Sequence, residues 1–229
     1  AAGLMDVGME YDYDNDFFIF GEYLNPSPTG GEIRLFKVTR PFKNPSNWKI
    51  VKTLTANNSS ASADFIEGSV KHFHTVKKDY VSGMWVANTG DADYQCRNFI
   101  SIDNGETWTE QGGGSQAYRM TSLVFTDDGA YWGNDAQTTH GLYKANRVNG
   151  YVDFTNIEFI AWLSVMQPTY RTCYLQNPHG LLFLDRGEVR NDLKLDLTFW
   201  SFEKKRLYRL DILDIIDGET GEDFGRFGF

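Results

Sequence analysis

The sequence predicts an all-β chain assembled from repeated four-stranded antiparallel blades, on three observations. No stretch keeps an apolar period of 3.6 residues; short apolar or alternating runs of strand length recur instead. Turns rich in Asp, Asn, Gly and Pro separate these runs. The order of run, turn, run, loop, run, turn, run returns roughly every 45 to 60 residues, the period of a blade.

The first unit, residues 5–56, opens with a mixed run to Tyr11, turns through Asp12-Tyr13-Asp14-Asn15-Asp16, and continues as Phe17-Phe18-Ile19-Phe20. A loop with Pro26, Pro28, Gly30 and Gly31 leads to alternating runs at 33–38 and 48–54. Asp12, Asp14 and Asp16 are spaced like the start of a calcium loop, but the Gly and closing Glu that such a loop needs are missing, so a plain turn is expected. The second unit, residues 64–114, has runs at 72–76, 84–87 and 97–101, with a fourth after the corner at 101–108. The third, residues 115–163, runs through 118–126, 130–133, 141–144 and 157–163. The fourth, residues 164–217, has runs at 170–176 and 181–184, turned by Asn177-Pro178-His179-Gly180, and ends in a less legible stretch through 207–210. A β-sandwich also has many short strands, but repetition of one sub-pattern favours a β-propeller. Four blades make either a small closed ring or part of a larger one, and we favour the larger. Trp48, Trp85, Trp108, Trp132, Trp162 and Trp200 recur at blade-like intervals, where core packing accounts for most of them.

The 229 residues are 41% hydrophobic and 15% aromatic, enough to bury a core. A net charge of -9 argues against nucleic acid as a main partner, because phosphate binding needs basic surface. No apolar run approaches the roughly 18 residues of a membrane span, so no membrane insertion is expected. Cys96 and Cys173 show no metal or framework spacing and are expected to be free thiols. The chain starts without Met just ahead of a strand, so a longer parent with further blades or domains is expected.

Ser101-Ile102-Asp103-Asn104-Gly105-Glu106-Thr107-Trp108 reads as a tight corner between strands, with Asp bonding backbone N–H groups, Gly free to take φ > 0 and an indole pinning the turn. Its Ser-x-Asp-x-Gly-x-x-Trp spacing resembles the Asp-box, or BNR repeat, of sialidase-like β-propellers, and Trp48 stands where a degenerate second box would place its indole. The resemblance covers residues 17–163. It implies a propeller with the box on the outer edge of a blade, away from any active site. It also implies a carbohydrate-facing protein, extracellular or on a virion surface, since that family is rich in glycosidases, polysaccharide lyases and glycan-binding modules. The Arg-Ile-Pro motif of sialidases is absent, its nearest form being Arg119-Met120-Thr121, which speaks against sialidase activity.

Superposing the units sets His72-Phe73-His74, Tyr118-Arg119-Met120 and Tyr170-Arg171-Thr172 at the start of the innermost strands, all opening on one face. Loops after the second strands bring Glu22-Tyr23, Asp91, Asp135 and Asp185-Arg186 to the same face. Such a basic, aromatic mouth suits an anionic group on a ring: a uronate, a sialate or a sulfated sugar. Arg119 and Arg171 are expected to hold the anion, Asp91, Asp135 and Arg186 the sugar, and Trp132 to stack at the rim. His72 or His74 as base, with Tyr118 or Tyr170 delivering a proton, suits β-elimination from a uronate. A Tyr-Arg pair at a strand start equally fits a lid bonded to backbone carbonyls. His72 and His74 lack a third ligand at recognisable spacing, so no metal and no cofactor are expected, while His140 and His179 are expected in solvent. The functional expectation is recognition of an acidic glycan or polysaccharide at the channel mouth, with lyase or hydrolase chemistry left open. The alternative is a non-catalytic structural or receptor-binding module of a virion tail or cell-surface protein.

Overall fold

The protein is described by a computed structural model over residues 8–24, 30–57, 68–136, 140–163, 169–176, 179–186 and 195–211; for 169–171, 184–186, 195–197 and 209–211 only the backbone is described. Among these residues the regular structure is β apart from short 3-10 turns, and no helix is long and apolar enough to cross a membrane. The first sheet runs β1 (Met9–Asp12), β2 (Phe17–Gly21), β3 (Gly31–Thr39) and β4 (Trp48–Ala56). The second runs β5 (His72–Lys78), β6 (Trp85–Gly90), β7 (Arg97–Ser101) and β8 (Thr109–Gly113). The third runs β9 (Met120–Thr126), β10 (Gly129–Asn134), β11 (Gly141–Val148) and β12 (Tyr151–Trp162). The fourth runs β13 (Thr169–Leu175), β14 (Gly180–Arg186), β15 (Leu195–Ser201) and β16 (Arg206–Asp211). Every sheet is an antiparallel meander in chain order, the arrangement of propeller blades.

Consecutive sheets pack through their first strands: β1 and β2 against β5, β5 against β9, and β9 against β13. This explains the burial pattern. β5, β6 and β10 are covered on both faces and read as nearly continuous buried runs. β4 and β12 lie at the outer edges and carry exposed residues. A separate apolar cluster fills each interface. Phe17, Ile19, Phe73 and Trp85 join the first and second sheets, Met120, Trp132 and Phe154 pack against Met84 and Val86 between the second and third, and Tyr131 meets Leu181 and Phe183 between the third and fourth.

The 101–108 corner joins β7 to β8. Asp103 Oδ1 accepts from the backbone N–H of Glu106 (3.1 Å) and Thr107 (2.9 Å) and from the Ser101 hydroxyl (2.7 Å). Gly105, at φ 78°, sits so close to Ile19 of the first sheet that a Cβ would overlap it. Trp108 Nε1–H donates to the Gly105 carbonyl at 3.1 Å, and its ring joins the first interface core. At the other unit edge, Asp12 accepts from the N–H of Asp14 and Asn15 and from buried Lys78, so the acidic series is a turn.

Three expectations about aromatic residues change. Trp132 is not at a rim: it is fully buried, and its Nε1–H donates to the Ala117 carbonyl at 2.7 Å. Trp48 and Trp162, on outer strands, are 47% and 60% exposed rather than core. His140 is buried beside the third sheet, whereas His179 is exposed as expected. Both cysteines are free thiols, Cys96 buried and Cys173 exposed.

Candidate functional site

His72 opens β5, and Asp91 follows the last residue of β6, to which His72 is paired through Gly90. One sheet on, Arg119 precedes β9 and Asp135 follows β10, and the Asp135 N–H donates to the Arg119 carbonyl at 3.0 Å. The two sheets therefore repeat one device: a cation just before the first strand faces an Asp just after the second. Lys71 plays that part in the second sheet, bonded to Asp91 Oδ2, and Arg119 in the third, 2.8 Å from Asp135 Oδ2. Arg119 Nη2 also reaches Asp91 Oδ1 at 3.0 Å and so bridges the two blades.

Between these ion pairs lie the two histidines, each 1% exposed. Alternation of β5 puts both on one face; a register shift between Phe73 and Thr75 leaves His74 unpaired with β6, and the two rings lie side by side with centroids 4.8 Å apart. His72 Nε2 and His74 Nε2 are 2.8 Å apart, and each faces Asp91 Oδ1, at 3.3 and 3.1 Å. His72 Nδ1 lies 3.0 Å from the Leu24 carbonyl, an acceptor only, so Nδ1 carries the proton and donates. The Tyr23 ring stacks on His72 with centroids 4.0 Å apart. His74 is wedged against β6 so closely that a Cβ on Gly90 would overlap its ring.

Burial pushes His74 down to about 4, with the His72 and Arg119 charges adding to the effect and Asp91 opposing it, so His74 is neutral at neutral pH. Burial alone would raise Asp91, but its hydrogen bonds with His72 and His74 and the charge of Arg119 hold it far below the usual carboxylate range. Asp91 is thus ionised under all ordinary conditions. Gln95 accepts from the Asp91 N–H at 3.1 Å, and Gln116 donates to the Asp91 carbonyl at 2.8 Å, fixing the loop. The nearby Cys96 thiol is pushed up by burial and is no nucleophile.

Of the residues singled out in the sequence, His72, His74, Asp91, Arg119 and Asp135 come together. Tyr118 does not. A 3-10 turn over Gln116–Tyr118 precedes β9, so the ring points into the core and its hydroxyl donates to the Phe154 carbonyl at 2.7 Å. Burial raises its pKa, which further removes it from proton transfer. Trp132 is excluded by the same core. Tyr170, Arg171 and Arg186 lie on the backbones of β13 and β14, and their side chains fall outside the described residues. Lys71, Gln116 and the Leu24 carbonyl were missed by sequence reasoning. Lys71 had a usable signal, its position directly before a strand-opening His, but aligning His72 with Tyr118 hid its equivalence to Arg119. Neither known family models nor curated proteins give a match to this chain.

Proposed function

We propose that the chain is a carbohydrate-recognising propeller module that takes an acidic glycan, such as a uronate, sialylated or sulfated polysaccharide, at the end of the blades where Lys71, His72, His74, Asp91, Arg119 and Asp135 meet. The observation that carries the reading is Arg119, a guanidinium held between carboxylates of two blades and still 15% exposed. It is rigidly placed, and a ligand carboxylate or sulfate can bind it bidentately. Carboxylates and backbone carbonyls of the loops after β6 and β10 supply acceptors for sugar hydroxyls. The Tyr23 ring beside His72 offers an aromatic face. The corner at 101–108 supports the same reading, since β7 runs from Arg97 near this end to Ser101 at the opposite end, as the Asp-box resemblance implies.

Chemistry at the site would fall to the histidines. His72 and His74 beside Asp91 are the groups available for proton transfer, and Arg119 can neutralise the carboxylate whose α-proton a lyase removes. The test is retention of the purified chain on uronate-containing, sialylated and sulfated glycans, with assay for unsaturated or free-sugar product. Arg119→Ala is expected to lower retention at least about tenfold, or about 1.4 kcal/mol, while the circular dichroism spectrum stays that of the wild type. Retention unchanged by Arg119→Ala and Lys71→Ala would remove this end of the blades as the binding site. Product formation would make the protein an enzyme, and retention without product a glycan-binding module.

A further inference from the structure

Three ligand atoms from two strand ends meet at one point in the site: His72 Nε2, His74 Nε2 and Asp91 Oδ1, separated by 2.8, 3.1 and 3.3 Å. His72 Nδ1 is committed to the Leu24 carbonyl, so Nε2 is the ring nitrogen that His72 presents to His74 and to the Asp91 oxygen. A cation in the middle satisfies all three.

We propose that His72, His74 and Asp91 form a binding site for a divalent transition-metal ion. The geometry admits it: the circle through the three atoms has a radius of about 1.8 Å, shorter than a metal–ligand bond of about 2.1 Å, so one point lies at bonding distance from all of them. Two imidazoles and one carboxylate are the donors of open zinc sites and of the related iron(II) triads, in which remaining positions are left for water or ligand. The surroundings match as well. The Leu24 carbonyl fixes His72 in the tautomer that presents Nε2, as the outer hydrogen bond of a metal-bound histidine does. Lys71 holds Asp91 through Oδ2, and Arg119 Nη2 reaches Oδ1, the oxygen that faces the histidines, at 3.0 Å, so the carboxylate is oriented by both cations. His74 is buried, and the Gly90 backbone leaves its ring no room to turn away.

The charges have a further consequence. Asp91 and Asp135 are already balanced by Lys71 and Arg119, so a divalent ion brings uncompensated positive charge and draws an anionic group to its open positions. That is the chemistry proposed for the glycan, but the metal site stands on its own geometry, and its test contains no glycan.

The whole chain, stripped with a chelator, is dialysed against zinc and the bound metal is measured by elemental analysis. One equivalent is expected, with at least a tenfold loss of affinity in His74→Gln and in Asp91→Asn, and no change in His179→Gln, whose imidazole is on the surface. X-ray absorption of the zinc-loaded wild type is expected to show two imidazoles in the coordination shell, a readout that does not depend on whether the variants fold. Failure of the wild type to retain zinc, equal affinity in His74→Gln, or an all-oxygen shell would each overturn the proposal.

Discussion

Arg147→Ala should be among the most damaging single substitutions in the described structure. Arg147, on β11, crosses to the β5–β6 turn of the preceding blade and holds Asp79 through two parallel bonds, Nη1 to Oδ2 at 2.6 Å and Nη2 to Oδ1 at 2.9 Å. The Asp79 side chain is 0% and that of Arg147 10% exposed. The guanidinium also donates to the carbonyls of Thr126 and Asp127. Truncation leaves a buried carboxylate with only the Val81 N–H and the Ser82 hydroxyl. Breaking a buried pair in this way costs about 3 to 5 kcal/mol. For a chain of this size that lowers Tm by about 10 °C. Urea unfolding monitored by tryptophan fluorescence measures the loss. The pH dependence then tests the cause. Burial raises the Asp79 pKa, but bonds from Arg147, Ser82 and Val81 outweigh it and hold the carboxyl below its ordinary 3.8. A depressed carboxyl contributes stability above 3.8 that is lost as pH falls through its folded value. Without Arg147, burial dominates and the carboxyl rises, so the variant gains relative to wild type as it protonates. The difference between the two proteins should therefore start to narrow above 3.8, as the variant's carboxyl protonates, and go on narrowing below it, as the wild type loses its contribution. A cost under about 1 kcal/mol, or the same cost at pH 7 and pH 3.5, would refute this account.

Two further substitutions separate core from site. Tyr118→Phe removes the donor to the Phe154 carbonyl and should cost about 1 to 2 kcal/mol in urea unfolding while leaving glycan retention unchanged; a selective loss of retention would return Tyr118 to the site. Gly90→Ala drives a methyl into the His74 ring and should cost about 1 to 3 kcal/mol, with zinc binding weakened far more than by Tyr118→Phe; wild-type zinc affinity in Gly90→Ala would mean that the His74 position does not matter.

The blade order was legible because strand formation is local. Alternation, turn residues and apolar runs located most strands of the first three sheets to within a few residues; the hairpin of β11 and β12 extends further than expected, to Val148 and from Tyr151, and β15, in the least regular stretch, escaped notice. The convergence of His72, His74, Asp91, Arg119 and Asp135 was also legible, since an antiparallel meander must bring the start of its first strand beside the end of its second. Register was not. A short 3-10 turn before β9 moved Tyr118 from mouth to core, and no periodicity signals a turn of three residues. The same slip paired His72 with the wrong position and hid the equivalence of Lys71 and Arg119.

By itself, then, the sequence determined the all-β class, the repeat of four strands and the end of the blades where polar groups collect, because each follows from patterns within some ten residues. Only the tertiary structure decided which side chains face the site and which the core, and only it set one oxygen of Asp91 within 3.3 and 3.1 Å of the two histidine nitrogens. Those are long-range facts: they depend on strand register and on packing between sheets, where a shift of one residue turns a side chain to the opposite face.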